Sequence, residues 1–112
     1  MTTEEISQAE KSRSVCRDLI AALAELERAG VSPSQQDKLA AEICVLLGRP
    51  VLSGYRATAL NRLEIHQIAL TPFLPHVQRG LVAALAKCRN ALFVHANAQG
   101  RTLERVGGKS IA

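Results

Sequence analysis

Apolar residues between Thr71 and Val106 recur at Leu74, Val77, Leu81, Leu85, Cys88, Leu92, Ala96, Leu103 and Val106. At about 100° per residue these positions project onto one stripe, which His95 and Gln99 share. Arg79, Lys87, Asn90, Asn97, Arg101 and Arg105 lie on the far side. The spacing predicts an amphipathic helix that opens at Thr71-Pro72 and runs about 52 Å at ~1.5 Å per residue. A compact domain of this size has a radius of gyration of only about 13 Å. A helix of that length overhangs its own core, breaks, or packs against another chain. The weak point is Gly100, because an interior glycine costs about 1 kcal/mol relative to alanine.

Upstream, Cys16, Leu19, Leu23 and Leu26 step by three and four, and Ile20 widens the stripe. With Thr2 and Glu5 at capping-box spacing and Gly30 as a stop, this predicts a helix over Thr3–Ala29. Its residues 4–14 are too polar to bury much, so that stretch is expected to fray. Ser32-Pro33-Ser34-Gln35 supplies a cap, a first-turn proline and a third-position glutamine. The second helix runs from Pro33 to Leu47, buries Leu39, Ile43, Leu46 and Leu47, and ends at Gly48 ahead of Pro50. The short link at Gly30–Ser32 predicts an antiparallel hairpin. A third helix, capped by Ser53, spans Gly54 to Leu70 with Ala57, Leu60, Leu63 and Ile68 inward.

No strand pattern or internal repeat occurs. The expected fold is all-α, with three to four helices: an N-terminal hairpin plus one long C-terminal amphipathic helix. Residues 1–106 form a single domain and 107–112 a loose tail.

Of 112 residues, 47% are hydrophobic, yet the chain has no Trp, one Tyr and two Phe. A Leu- and Ala-based core in so short a chain gains from pairing with a second copy, so a homodimer is expected. Residues 1–48 carry five basic and eight acidic groups, while residues 49–112 carry nine basic and two acidic ones. The basic residues are spaced rather than clustered, which suits a solvated face better than a nucleic-acid surface. Three scattered cysteines without a C-x-x-C pair read as reduced core thiols of a cytoplasmic protein. The polar, acidic start is no signal peptide, and no apolar run is long enough to cross a bilayer.

Candidate chemistry is sparse. His66, His76 and His95 lack ligand spacing, and none lies near a cysteine in sequence, which argues against a metal or other cofactor. No nucleophile–base arrangement stands out, so no enzyme activity is expected. Gly107-Gly108-Lys109-Ser110 lacks the upstream glycine of a phosphate loop. His76-Val77-Gln78-Arg79-Gly80 resembles the H-x-x-K/R-G signature of histidine phosphotransfer domains, in which His76 would accept the phosphoryl group. Pro75 and Gln78 depart from that pattern. A DNA-binding helix-turn-helix would use Tyr55, Arg56, Asn61 and Arg62 as readers, but Arg49-Pro50 breaks the turn.

Protein binding needs the fewest additions. Val82 and Phe93 form a second apolar edge about 100° round the long helix. Leu85, Leu92, Phe93, Ala96 and Leu103 are the expected partner contacts, with Arg89 and Arg101 on the rim. The length, the low aromatic content, the helices ending at Gly48 and the long segment from Leu74 to Gly107 resemble the short all-helical quorum-sensing antiactivators of the QslA type. That resemblance implies a homodimeric, cytoplasmic protein that binds a LuxR-type transcription regulator and blocks its dimerisation and DNA binding.

Overall fold

The computed structural model describes residues 2–49, 51–69 and 71–111, with side chains through residue 100. Pro50, Leu70 and the side chains of Arg101, Leu103 and the 107–112 tail lie outside the described residues.

Four helices occur among the described residues: α1 (Thr3–Ala29), α2 (Pro33–Leu46), α3 (Tyr55–Ile68) and α4 (Pro75–Ile111). The described residues contain no strand. The caps explain the first two. Glu5 N–H donates to Thr2 Oγ1 at 3.1 Å, and Gln35 N–H to Ser32 Oγ at 3.2 Å. At the other ends, Gly30 and Gly48 take left-handed φ of 81° and 73°, a conformation that favours glycine. Gly30 N–H then reaches Glu27 O while Val31 N–H reaches Leu26 O, and Gly48 and Arg49 repeat the pattern on Val45 O and Cys44 O. These paired bonds satisfy carbonyls that a helix end would otherwise orphan.

Two expected starts shift. The cap of α3 is Gly54, with no side-chain hydrogen bond, in place of Ser53. The long helix opens at Pro75, because the Phe73 N–H is held outside it by Ser12 Oγ at 3.0 Å. The inward face of α3 is corrected too: Ala59 and Leu63 are buried, Leu60 is half-buried, and Ala57 and Ile68 are exposed. That helix carries apolar residues on both sides, so its periodicity does not fix its phase.

Polar contacts set the helix directions. Ser12 meets Gln78 and Ala29 meets His95, so α1 and α4 run parallel at a constant offset of 66 residues. Arg13 bonds the Gln67 carbonyl and Glu27 pairs with Arg56, so α3 runs against α1. Glu42 pairs with Lys87 and Leu46 lies over Gly80, so α2 runs against α4. The bundle is therefore up-down-down-up. Its α1 and α2 barely touch, although a three-residue link joins them; each packs on α3 and α4.

The core holds Cys16, Leu19, Leu23, Leu26, Ile43, Cys44, Leu63, Leu81 and Cys88, all essentially without solvent exposure. The polar start of α1 does not behave as a bare frayed end: it is helical from Thr3, and Ala9 and Ser12 are buried. The α4 helix passes through Gly100 unbroken. By the 66-residue offset, α1 ends level with His95, so about 24 Å of α4 continues past it at ~1.5 Å per residue. The radius of gyration is 17.2 Å and the extents are 67 × 33 × 20 Å, well beyond a compact domain of this length.

Candidate functional site

The outer edge of α4 is built by helical spacing. Positions 82, 86, 89, 93 and 96 step by three and four, and all five are exposed. Val82 is 51% and Phe93 66% exposed, and Ala86 and Ala96 keep the surface between and beyond them low. Arg89 stands in the middle, 4.0 Å from Asp18 of α1. The neighbouring depression is lined by Asp18, Ala21, Ala22, Glu25, Arg89 and Leu92. A shallow trough thus lies between α1 and α4, with acidic groups on one wall and a guanidinium on the other.

The expected contact residues separate into three groups. Phe93, Ala96 and Arg89 are exposed on this edge. Leu92 is half-buried and packs on the core beside it. Leu85 is only 7% exposed and is spent inside the chain. Ala96, expected on the buried stripe, faces solvent because α1 has ended one residue earlier in register. Gln99 is exposed for the same reason. Arg101 and Leu103 cannot be placed on either surface, since their side chains lie outside the described residues.

Sequence reasoning missed a polar latch at the lower end of the bundle. Ser12 Oγ shares its proton between Gln8 O at 3.0 Å and Gln78 Oε1 at 3.2 Å, and accepts from Phe73 N–H. Beside it Arg13 Nε donates to Gln67 O at 2.8 Å. The available signal was phase: Ser12 continues the steps of Cys16, Leu19, Leu23 and Leu26. Gln36 is a second buried polar group on a core face, and its Nε2 donates to Val31 O at 2.8 Å.

The alternative chemistries find other uses for their residues. A Cβ on Gly80 would collide with Leu46 Cδ2, so this glycine admits α2 rather than leaving a gap beside His76. Arg56, a candidate base reader, is held by Glu27 Oε2 at 2.6 Å, with its Nε buried and unpartnered. His95 Nε2 lies 2.8 Å from Ala29 O, where it caps the end of α1. The half-buried His66 ring packs at 4.9 Å on Phe73, and its pKa is lowered by burial first and by Arg62 second. All three thiols have raised pKa values because they are buried; Cys16 and Cys88 reach about 11, the latter with help from Glu42. A raised pKa suppresses the nucleophilic thiolate. Among the described residues no group of three His, Cys, Asp or Glu side chains could hold a metal ion, and no helix is long and apolar enough to cross a membrane.

No family model, no curated protein and no solved structure matches the chain.

Proposed function

We propose that this chain is a non-catalytic regulator that works by binding another protein, with the outer edge of α4 as its contact surface. The observation that carries this reading is the exposure of Phe93, one of only two phenylalanines, on an edge it shares with Val82, Ala86 and Ala96. A large aromatic group on a rigid helix is a ready anchor for an interface, and small flanking residues let another helix approach closely. The resemblance to QslA-type antiactivators supplies the class of partner: a LuxR-type transcription regulator whose own pairing surface is apolar. Occupying that surface blocks the regulator's dimerisation, and with it DNA binding. Such competition needs affinity or concentration and no chemistry.

A second copy of the chain fits the same trough. A two-fold axis along the helices sets the Asp18 wall of one copy against the Arg89 wall of the other at the same level. Self-association and target binding then compete for one edge of a cytoplasmic protein.

The test is capture of the ligand-binding domain of a LuxR-type regulator, together with light scattering of the free protein. Phe93→Asp is expected to weaken both associations at least about tenfold while helical circular dichroism is unchanged. Leu103→Asp tests whether the contact extends along the overhang. Full retention of binding by both variants removes this surface.

A further inference from the structure

A second cleft lies at the opposite end of the bundle, between the first turns of α1 and the entry to α4. It has a volume of about 700 Å³, within the usual range for ligand sites. Pro72, Phe73 and Pro75 give it an apolar wall. That wall is fixed, because the Phe73 N–H is bonded to Ser12 and its ring packs on His66. Gln78 is half-buried, and Ser12 engages its Oε1, which leaves the Nε2 donor without a partner among the described residues.

The charges on the two sides are opposite and unjoined. Glu4 and Glu5 line the α1 side and Arg79 the α4 side, all exposed. No ion pair joins Arg79 to either glutamate; the ion pairs among the described residues are Arg56–Glu27, Lys87–Glu42 and Arg89–Asp18. The start of α4 adds partial positive charge beside Arg79. A simple anion would face the two glutamates, and a simple cation would face the arginine. A ligand with an apolar middle and opposite charges at its ends satisfies every wall.

We propose that this cleft binds a short zwitterionic peptide, with its carboxylate at Arg79, its apolar side chains on Pro72 and Phe73, and its cationic end at Glu4 and Glu5. Gln78 Nε2 donates to a peptide carbonyl. A free peptide and the C-terminal tail of a larger protein offer the same carboxylate and apolar side chains, and in a tail a lysine side chain supplies the cation in place of the α-amine. The site shares no residue with the α4 edge, so the two proposals stand or fall separately.

The experiment is a titration of the full chain, followed by amide NMR, with the tripeptide lysyl-prolyl-leucine and with its C-terminally amidated form. The free-carboxylate peptide is expected to give saturable shifts confined to residues around Glu5, Phe73 and Arg79. Amidation, or Arg79→Ala, is expected to weaken binding at least about tenfold, the usual worth of a charge-assisted hydrogen bond. The Glu4→Gln, Glu5→Gln double variant is expected to weaken it as well, and Phe93→Asp to leave it unchanged. The amidated peptide tests the carboxylate contact on the unaltered protein, so the result does not hinge on a variant folding. Absence of saturable shifts at millimolar peptide, or equal affinity for the two peptides, overturns the proposal. If the carboxylate discriminates, a longer protein ending in the same three residues distinguishes a free peptide from a partner's tail by its higher affinity.

Discussion

Between Leu19 and Leu26, α1 meets its neighbours through side chains almost wholly out of water; between Gln8 and Arg13 it meets them through hydrogen bonds. The upper stretch is non-directional. Each buried leucine there contributes about 1.5–3 kcal/mol whichever apolar neighbour it finds. The lower stretch is directional, since Ser12 acts only if Gln78 and the Phe73 N–H arrive at defined distances. A typical hydrogen bond nets about 1 kcal/mol, but a donor orphaned in a dry site costs 1–3 kcal/mol. The first region therefore supplies most of the stability, while the second fixes the register of α1 against α4 and the point where α4 begins.

The sharpest test of that division is a cavity in the dry region. Leu23 is 1% exposed, and Leu23→Ala is expected to lower unfolding free energy by about 3 kcal/mol in denaturant titrations. A loss below about 1 kcal/mol would mean that the leucine layer is loosely packed and that the latch carries more of the fold than its bond energies suggest.

The same division explains what the sequence could and could not reveal. The span of α1 is legible to the residue, because Thr2, Glu5 and Gly30 act locally. The inward positions Leu81, Leu85 and Cys88 of α4 are legible because the main apolar stripe runs through them. The inward face of α3 is not, since Ala57, Ile65 and Ile68 compete with Ala59 and Leu63 for the core and only the neighbouring helices choose between them. Ser12 is illegible as a latch for a different reason: its partners lie 61 and 66 residues away. The exposure of Ala96 depends on where α1 stops beside it, a tertiary fact absent from the periodicity of α4.

The two regions also respond to opposite ends of the pH scale. Cys16 and Cys88 belong to the dry region, and burial raises their pKa from 9.0 to about 11. A folded pKa above the unfolded one means that their contribution is intact below pH 9.0 and is lost as pH climbs toward 11. Full ionisation of either thiol costs on the order of 2 kcal/mol. Cys16→Ala in the Cys88→Ala background is expected to flatten the alkaline fall in melting temperature. His66 stands by the latch with a lowered pKa, so its contribution is intact above 6.5 and falls as the pH drops below it. The protection factors of amides near Phe73 are expected to fall on acidification before those in the Leu19–Leu26 layer do. A uniform fall in protection would erase the distinction between the regions.

Removing the latch itself has a smaller expected effect. Ser12→Ala deletes the acceptor of the Phe73 N–H and the partner of Gln78, at about 2 kcal/mol. The expected signature is local: the Phe73 amide loses protection and the start of α4 shifts toward Pro72. A loss of stability without that shift would make Ser12 a packing residue rather than a register pin.

Two glycines of α4 give the finest comparison, because the same substitution is expected to have opposite signs. Alanine is favoured over glycine inside a helix by about 1 kcal/mol. At Gly100 a Cβ meets nothing within 4 Å, so Gly100→Ala is expected to realise that gain as added helicity in circular dichroism. At Gly80 the new methyl collides with Leu46 Cδ2, and overpacking costs about 1–3 kcal/mol. Leu46 is half-buried at the end of α2, so its side chain has some room to turn, and the net loss for Gly80→Ala is expected near the low end, about 1 kcal/mol in denaturant titrations. Stabilisation by both substitutions would show that α2 does not need the notch. The close approach of Leu46 would then be incidental, and the glycine beside His76 and Arg79 would again call for a reason outside this chain.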